Sequence, residues 1–139
     1  MKQLKTEIIA LCDYALVAKD NKLSIMGIFD EFRAEKFPTG FIDKFLVATI
    51  NGELSTPYKL IIELQRDNNG HNLLNPTNVN ATTSSNGKNN LIIRLTNVGF
   101  EKEGDYYFKI YDGKDVVGST HLKVIKLGKT LEKNILLPN

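Results

Sequence analysis

The sequence predicts an all-β fold, an antiparallel sandwich of two sheets with roughly seven to nine strands. Runs rich in Val, Ile, Tyr, Phe and Thr recur every eight to fifteen residues, and Gly, Asn, Asp and Pro separate them. This spacing is typical of antiparallel sandwiches and barrels, and the apolar residues show almost no helical periodicity. The length of 139 residues is enough for one core and too short for two ordinary domains.

The first two strands form a predicted hairpin. One strand is expected over residues 6–18 and the next over residues 23–34, with the polar turn 19–22 between them. Both strands carry apolar residues on both faces, so we expect the first to be covered on both sides or to cross between the sheets. Asp13 interrupts the pattern and is expected to mark a bend. Residues 35–44 are expected to form a loop over an open end of the core.

The remaining strands are predicted between turn-forming residues in the same way. The stretch 67–90 contains nine Asn among twenty-four residues and is expected to be the most flexible part of the chain. A short edge strand is predicted within 77–83, because a stretch of this length without pairing is unusual in a small domain. Asp112-Gly113 supplies the residue pair that a tight hairpin turn requires. The other strands are predicted over residues 45–50, 58–66, 91–98, 106–112 and 116–127.

The chain divides into a sandwich domain, residues 1–127, and a C-terminal tail, residues 128–139. The tail is rich in large apolar side chains that need to be buried. It is expected to pack across the open end of its own sandwich or to dock into a neighbouring copy as an added strand or short helix. The candidate assembly residues of the tail are Leu131, Ile135, Leu136 and Leu137.

Charge and cysteine content limit the possible environments and partners. Eighteen Lys and Arg against sixteen Asp and Glu leave a formal charge of +2, too weak a positive field to favour nucleic-acid binding. The single cysteine, Cys12, allows no internal disulfide and favours a reducing compartment. The charged start does not resemble a secretory signal, and no apolar run is long enough to span a bilayer. We therefore expect a cytoplasmic protein without a membrane partner, from a bacterial or phage source.

Few residues offer material for catalysis or metal binding. His71 and His121 are fifty residues apart, and neither has a second ligand at zinc spacing. Cys12 is expected to be a small buried hydrophobic residue rather than a nucleophile. Asp13 and Asp30 could serve a small hydrolase, but they are expected, like the neighbouring Glu31, to accept hydrogen bonds at a bend or to end a strand. We expect no enzyme activity, no metal and no cofactor.

One surface is a candidate for binding. If Tyr106 and its alternate neighbours face inward, the same strand places Tyr107, Lys109 and Tyr111 outward, and the next strand sets His121 and Lys123 on the same face. Amphipathic aromatic side chains beside cations build protein interfaces, stack on sugars or hold single-stranded nucleic acid. We call this group of five residues the tyrosine face.

Residues 91–108 resemble the E and F strands of an immunoglobulin-like domain of the intermediate type. The resemblance lies in the apolar alternation Leu91-x-Ile93-x-Leu95-x-x-Val98 and in the corner Gly104-x-Tyr106-x-Phe108, where Phe108 replaces the usual half-cystine. In that family the corner tyrosine bonds backward to the main chain and pins the crossing between the sheets. The resemblance therefore implies an immunoglobulin-like sandwich, with Tyr106 as the pin.

The whole chain also resembles an uncharacterised family of small bacterial β-sandwich proteins. The resemblance is carried by the opening LCDYA at 11–15, the hairpin strand at 23–29, Phe37-Pro38, and the closing GDYYF at 104–108. These motifs are structural, and the family implies no chemistry.

The leading functional hypothesis is a non-catalytic protein-interaction or structural module. It would bind a protein partner, or associate with itself, through the tyrosine face, an edge strand or the tail. The alternative is a sandwich that binds carbohydrate or another small ligand through Tyr107, Tyr111 and the Asn-rich loop.

Overall fold

The computed structural model describes residues 2–67 and 76–128, and this part of the chain contains nine β-strands. The predicted all-β class and the upper end of the predicted strand number are confirmed. The edge strand expected within 77–83 is present as β6. The strands are β1 (Lys5–Val17), β2 (Leu23–Phe29), β3 (Glu31–Ala34), β4 (Thr39–Asn51), β5 (Pro57–Arg66), β6 (Thr77–Thr82), β7 (Lys88–Phe100), β8 (Gly104–Asp112) and β9 (Asp115–Lys126).

The strands are arranged in two sheets. The first sheet has the order β2-β1-β4-β7 and the second the order β3-β9-β8-β5-β6. All pairs are antiparallel except β3 with β9, which is parallel and differs from the uniformly antiparallel expectation. The pairing of β4 with β7 in one sheet, and of β9, β8 and β5 in the other, is the immunoglobulin-like arrangement of B and E strands against G, F and C strands.

The main core lies between the two sheets, and alternate side chains of β8 contribute to it. Tyr106, Phe108 and Ile110 are buried, whereas the residues between them are half-exposed. The hydroxyl of Tyr106 donates a hydrogen bond of 2.5 Å to the carbonyl oxygen of Lys102. The backward bond implied for the corner tyrosine is therefore present, and it holds the β7–β8 connection against β8.

The predicted strand over 23–34 is wrong in one respect, because it divides at Asp30 into β2 and β3, which belong to different sheets. Phe29 and Phe32 both pack against Phe41, with ring centroids 6.1 Å and 5.6 Å apart. A straight strand would turn residues three positions apart to opposite faces. The break brings both rings into the core, and the carbonyl of Asp30 accepts a hydrogen bond from the backbone of Lys123.

The predicted loop over 35–44 is also too long. β4 begins at Thr39, and it pairs with β7 in a single register from Thr39↔Phe100 to Asn51↔Lys88, with a gap in the pairing at Ile42. Residues 39–44 therefore belong to β4, the strand that was predicted to begin only at residue 45. The long partner β7 supplies the hydrogen bonds that override the local turn-forming residues.

The β1–β2 hairpin folds back over the outside of the first sheet. β1 pairs with β4 from Lys5 to Cys12, which lies opposite Phe45. Along this stretch, β1 passes Thr49 and continues away from it. Yet Val17 and Asn21, near the tip of the hairpin, line a cleft of about 460 Å³ together with Thr49. A small second core fills the space between hairpin and sheet: Cys12, Ala15 and Val47 are buried, and Leu23, Ile25, Phe45 and Ile92 pack against them.

Candidate interaction surfaces

The tyrosine face lies on the outside of the second sheet. Tyr107 of β8 lies directly opposite His121 of β9, and the two ring centroids are 5.1 Å apart. The Nε2 atom of His121 lies 2.7 Å from the Oδ1 atom of Asp105, which is opposite Lys123. The structure therefore brings these predicted residues together and supplies an acidic neighbour that the sequence analysis did not include.

The other end of the tyrosine face is built around Gln65. Lys109 lies opposite Glu63 of β5, and Tyr111 lies opposite Ile61, two pairs further along the same two strands. The Nε2 atom of Gln65 donates hydrogen bonds to the hydroxyl of Tyr111 at 3.0 Å and to Oε1 of Glu63 at 3.2 Å. Gln65 is only 2% exposed. The amide nitrogen of Gln65 thus links Tyr111 to Glu63, whereas its Oε1 atom is buried without a hydrogen-bond partner among the described residues.

The Asn-rich stretch is split between two places. Asn78 and Asn80 lie opposite residues of β5 on its outer side, Ile61 and Lys59, and so border the tyrosine face. Residues 86, 89 and 90 instead line the cleft beside the hairpin tip, on the first-sheet side. Of the Asn-rich stretch that the carbohydrate alternative combines with Tyr107 and Tyr111, Asn78 and Asn80 therefore lie beside the tyrosine face, whereas residues 86, 89 and 90 do not.

Two predicted features lie outside the described residues. His71 falls in the interval between 67 and 76, and the candidate assembly residues Leu131, Ile135, Leu136 and Leu137 follow residue 128. The described chain ends beside β3, where the backbone nitrogen of Leu127 donates a hydrogen bond of 2.9 Å to the carbonyl of Ala34.

The outward side of the folded-back hairpin is a second candidate surface. We call its four residues, Tyr14, Leu16, Met26 and Ile28, the hairpin stripe. Their exposed fractions are 49%, 38%, 48% and 65%. Tyr14 lies directly opposite Met26, and Ile28 lies opposite the buried Cys12, so the stripe covers two paired strands.

The sequence carried a signal for the hairpin stripe, but the signal was interpreted differently. Apolar residues on both faces of the hairpin predicted that the first strand would be covered on both sides or would cross between the sheets. That expectation is wrong for the far half of the hairpin, because only the side with Ala15, Leu23 and Ile25 is covered by the first sheet. The opposite side remains open to solvent.

The bend that creates the stripe is held by an ion pair and two ring contacts. Nζ of Lys44 lies 2.7 Å from Oδ1 of Asp13, and it also lies 5.7 Å from the ring centroid of Phe29. The ring of Tyr14 meets Phe45 edge-on, with centroids 5.8 Å apart. Asp13 therefore accepts a hydrogen bond at a bend, as the sequence predicted.

Two of the side chains considered for chemistry, Cys12 and Glu31, have defined surroundings in the structure. Cys12 is fully buried, as expected, and burial raises the pKa of its thiol. Glu31 lies in an ion pair with Arg33 at 2.9 Å. Within residues 2–67 and 76–128, no group of three or more His, Cys, Asp or Glu residues could hold a metal ion.

A further cleft, of about 660 Å³, lies at the corner between β7 and β8. Its lining includes Arg66, Lys102 and Tyr106. Arg66 already donates a hydrogen bond of 3.0 Å to the carbonyl oxygen of Glu103, and its Nε lies 3.7 Å from Asp67. This guanidinium ties β5 to the corner, so the cleft belongs to the scaffold around Tyr106.

Searching the described residues for a helix long and apolar enough to cross a membrane finds none.

Several solved structures are similar to the chain at low sequence identity. The chain is similar to a β-glucosidase from Listeria innocua solved with isofagomine, with 10% identity and a TM-score of 0.49 over 89% of this chain and 16% of that one. A GH3 β-glucosidase from Bifidobacterium adolescentis gives 8% identity and a TM-score of 0.49 over 98% of this chain and 21% of that one. An immunoglobulin-like protein from Pseudomonas aeruginosa gives 11% identity and a TM-score of 0.42, over 88% of this chain and 97% of that one.

The chain thus spans only about a fifth or less of the length of these glucosidases. No curated protein matches the sequence. A family model does match, over residues 7–125, which includes nearly the whole sandwich. The chain therefore belongs to DUF6941, a family of unknown function.

Proposed function

We propose that this chain is a non-catalytic interaction module that binds a protein partner through the hairpin stripe. One observation carries the proposal: Tyr14, Leu16, Met26 and Ile28 lie exposed and adjacent on two paired strands. Single exposed apolar residues are ordinary on protein surfaces, but contiguous apolar patches mark interaction sites.

The position of β2 supports a protein partner. β2 is the edge strand of the first sheet in the described strand order, so one side of its backbone is open to pairing. An extended segment of another protein can add to such an edge, with main-chain hydrogen bonds giving affinity and side-chain contacts giving specificity. Met26 and Ile28 of β2 would then contact alternate side chains of the added segment.

The tyrosine face gives weaker support. Tyr107 is already against His121, and the hydroxyl of Tyr111 already accepts a hydrogen bond from Gln65. A sugar would have to compete with these internal contacts for the polar groups it needs. The described Asn residues, which the carbohydrate alternative also requires, are divided between two surfaces.

The contacts of the candidate acidic side chains support a non-catalytic role. Asp13 is paired with Lys44, and Glu31 is paired with Arg33. Acid–base catalysis requires a group positioned against a substrate in a site that tunes its pKa. Asp13 and Glu31 instead lie in surface ion pairs. For Asp30, the contact present is that of its backbone carbonyl, which accepts a hydrogen bond from the backbone of Lys123.

The test begins with capture of partners by the tagged full-length chain in its native host, followed by purification of the identified partner. Titration calorimetry then compares the wild-type chain with a Met26→Lys/Ile28→Lys variant. We expect the binding affinity to fall at least about tenfold, because the two introduced ammonium groups would have to be desolvated at the interface.

A Tyr107→Lys variant is the control, since it also introduces a lysine at a partly exposed position, but on the other sheet. Equal weakening by both variants, or by neither, would overturn the assignment of binding to the stripe. Thermal unfolding of each variant verifies that the fold is retained.

A further inference from the structure

We infer that Met26 is a reversible oxidation site through which a peroxide regulates partner binding at the hairpin stripe. Oxidation of the thioether to the sulfoxide would weaken binding, and reduction of the sulfoxide would restore it. The inference rests on the proposed function, because it takes the stripe as the binding surface, and it adds the regulation of that surface.

The two sulfur-containing side chains of the described residues lie in opposite environments. Met26 is 48% exposed, whereas Cys12 is fully buried in the same hairpin. Peroxides oxidise the sulfur atoms that they can reach, and they react with a cysteine as its thiolate. Burial also raises the pKa of the Cys12 thiol. A peroxide in solution would therefore modify Met26 and leave Cys12 reduced.

Met26 occupies a central position in the hairpin stripe. Its direct partner across the two strands is Tyr14, and the next pair along places Leu16 opposite Ser24. Side chains directly opposite and diagonal to each other on paired strands are close enough to interact. A partner that covers Tyr14 and Leu16 would therefore also have to cover the thioether of Met26.

Oxidation at Met26 would change the surface and leave the packing intact. Among the described residues, the side chains of β2 that pack against the second core are Leu23 and Ile25, and Met26 is in neither buried cluster. A sulfoxide converts a flexible apolar side chain into a polar one. In the free chain its oxygen would be hydrated, whereas a bound partner would remove that water without supplying a donor from an apolar surface.

The reaction balances with one molecule of hydrogen peroxide. The thioether sulfur donates an electron pair to one peroxide oxygen, so the S–O bond forms as the O–O bond breaks. The departing hydroxide takes the proton of the transferred hydroxyl and leaves as water. Methionine sulfoxide reductases reverse the change with two thiols, which become a disulfide while the oxygen leaves as water. β2 is an edge strand in the described strand order, so a reductase can approach Met26 from its open side.

The first experiment locates the modification. The full-length chain is treated with hydrogen peroxide, the peroxide is removed with catalase, and the peptides are analysed by mass spectrometry. We expect one added oxygen at Met26, no change at Cys12, and an unaltered thermal unfolding midpoint. Oxidation of Cys12 ahead of Met26, or loss of the folded state as Met26 is oxidised, would overturn the inference.

The second experiment measures binding to the purified partner by titration calorimetry. We expect oxidation of the chain to lower the affinity at least about fivefold, because the sulfoxide oxygen has to be desolvated. Incubation with both reductases, one for each sulfoxide epimer, and dithiothreitol should restore the affinity.

Met26→Leu is the matched control, because it keeps a large apolar side chain at position 26 and retains Met1. The comparison is made within this variant, before and after peroxide treatment, and its affinity should not change. A fall in its affinity after treatment would assign the effect to another residue and would overturn the inference.

The stripe variants separate this inference from the proposed function. If oxidation of Met26 leaves the affinity unchanged while Met26→Lys/Ile28→Lys lowers it, the inference fails and the proposed function stands. If Met26→Lys/Ile28→Lys also leaves the affinity unchanged, the proposed function fails as well.

Discussion

The carboxylate of Asp13 occupies the space into which a side chain at Gly27 would project. The two residues face each other across the β1–β2 hairpin, between the pairs Cys12↔Ile28 and Tyr14↔Met26. Gly27 has a φ of +69°, a conformation that glycine adopts at little cost. This juxtaposition marks the bend that turns the hairpin back over the first sheet.

Gly27→Ala should destabilise the protein by about 1 kcal/mol more than Gly113→Ala, as measured by urea unfolding. Gly113 has a similar φ of +62° but has nothing within 4 Å of an added Cβ. The control therefore isolates the collision with Asp13 from the backbone cost. Equal destabilisation by the two changes would show that the Asp13 side chain moves aside freely.

Cys12 should resist thiol reagents in the native protein. Burial excludes the reagent and raises the pKa of the thiol, so little thiolate forms at neutral pH. We expect labelling with a chromogenic disulfide to be slow and to accelerate in urea as the hairpin opens. A Lys114→Cys variant, at an exposed turn, provides the fast reference. Labelling of Cys12 as fast as this reference would contradict the covered second core.

Tyr106→Phe should lower the free energy of unfolding by about 1 kcal/mol, because it leaves the carbonyl of Lys102 without its donor. Tyr107→Phe, which alters the neighbouring residue on the outer face, is the matched control. Chemical denaturation at pH 7 gives both values. A loss at Tyr106 no larger than at Tyr107 would argue against the pin.

The same tyrosine predicts a difference at alkaline pH. Burial raises the pKa of Tyr106 above its ordinary value of 10.0. The unfolded chain therefore ionises first, and the stability that the neutral hydroxyl supplies is present below about pH 10 and is lost as the pH rises toward the folded-state pKa. Wild-type stability should decline more steeply above pH 10 than that of Tyr106→Phe. Parallel declines would contradict this.

At acid pH, the pair of Asp43 and Arg94 should contribute a pH-dependent difference. The hydrogen bond from Arg94, at 2.8 Å, lowers the pKa of Asp43 below its ordinary value of 3.8. The stabilisation is therefore present above about pH 3.8 and is lost as the pH falls through the lowered pKa. Asp43→Asn should have a lower unfolding midpoint at pH 6, and the difference should shrink toward pH 2.

Asp115→Asn, at an exposed position beside the β8–β9 turn, is the control for removal of one surface carboxylate. A wild-type advantage over Asp43→Asn that does not change with pH would argue against the ionised pair. Because both partners are exposed, the advantage should also diminish at high salt concentration.

Alternation in β8 shows what could be predicted for the sheets and the tyrosine face. Tyr106 and Phe108 point inward, and Tyr107 points outward, as the sequence indicated. Prediction succeeded here because a strand buried on one side sorts its side chains by polarity with a period of two. The opposition of Tyr107 and His121 did not follow from the hairpin turn at 112–115 alone. The register at the turn would place Tyr107 opposite Thr120, and an irregularity between Ile110 and Tyr111 shifts the pairing by one residue.

The hairpin stripe could not be predicted in this way. Apolar residues on both faces of a strand indicate two covered sides, and the sequence does not specify what covers them. In the structure, Ala15 and Ile25 are covered by the first sheet, while Leu16 and Met26 are not. The difference arises from the bend between Cys12 and Tyr14. This bend depends on residues far away in the chain, because Asp13 pairs with Lys44 and Ala15 packs with Val47.

The sequence by itself determined the class of fold, the positions of most strands and the corner tyrosine, because these depend on local alternation, turn residues and one short motif. Tertiary structure decided where the chain leaves one sheet for the other at Asp30 and how far β4 extends toward Pro38. It also decided which side of the first hairpin stays in water. These features depend on hydrogen-bond partners and packing surfaces supplied by residues far away in the chain, and no local pattern of side chains encodes them.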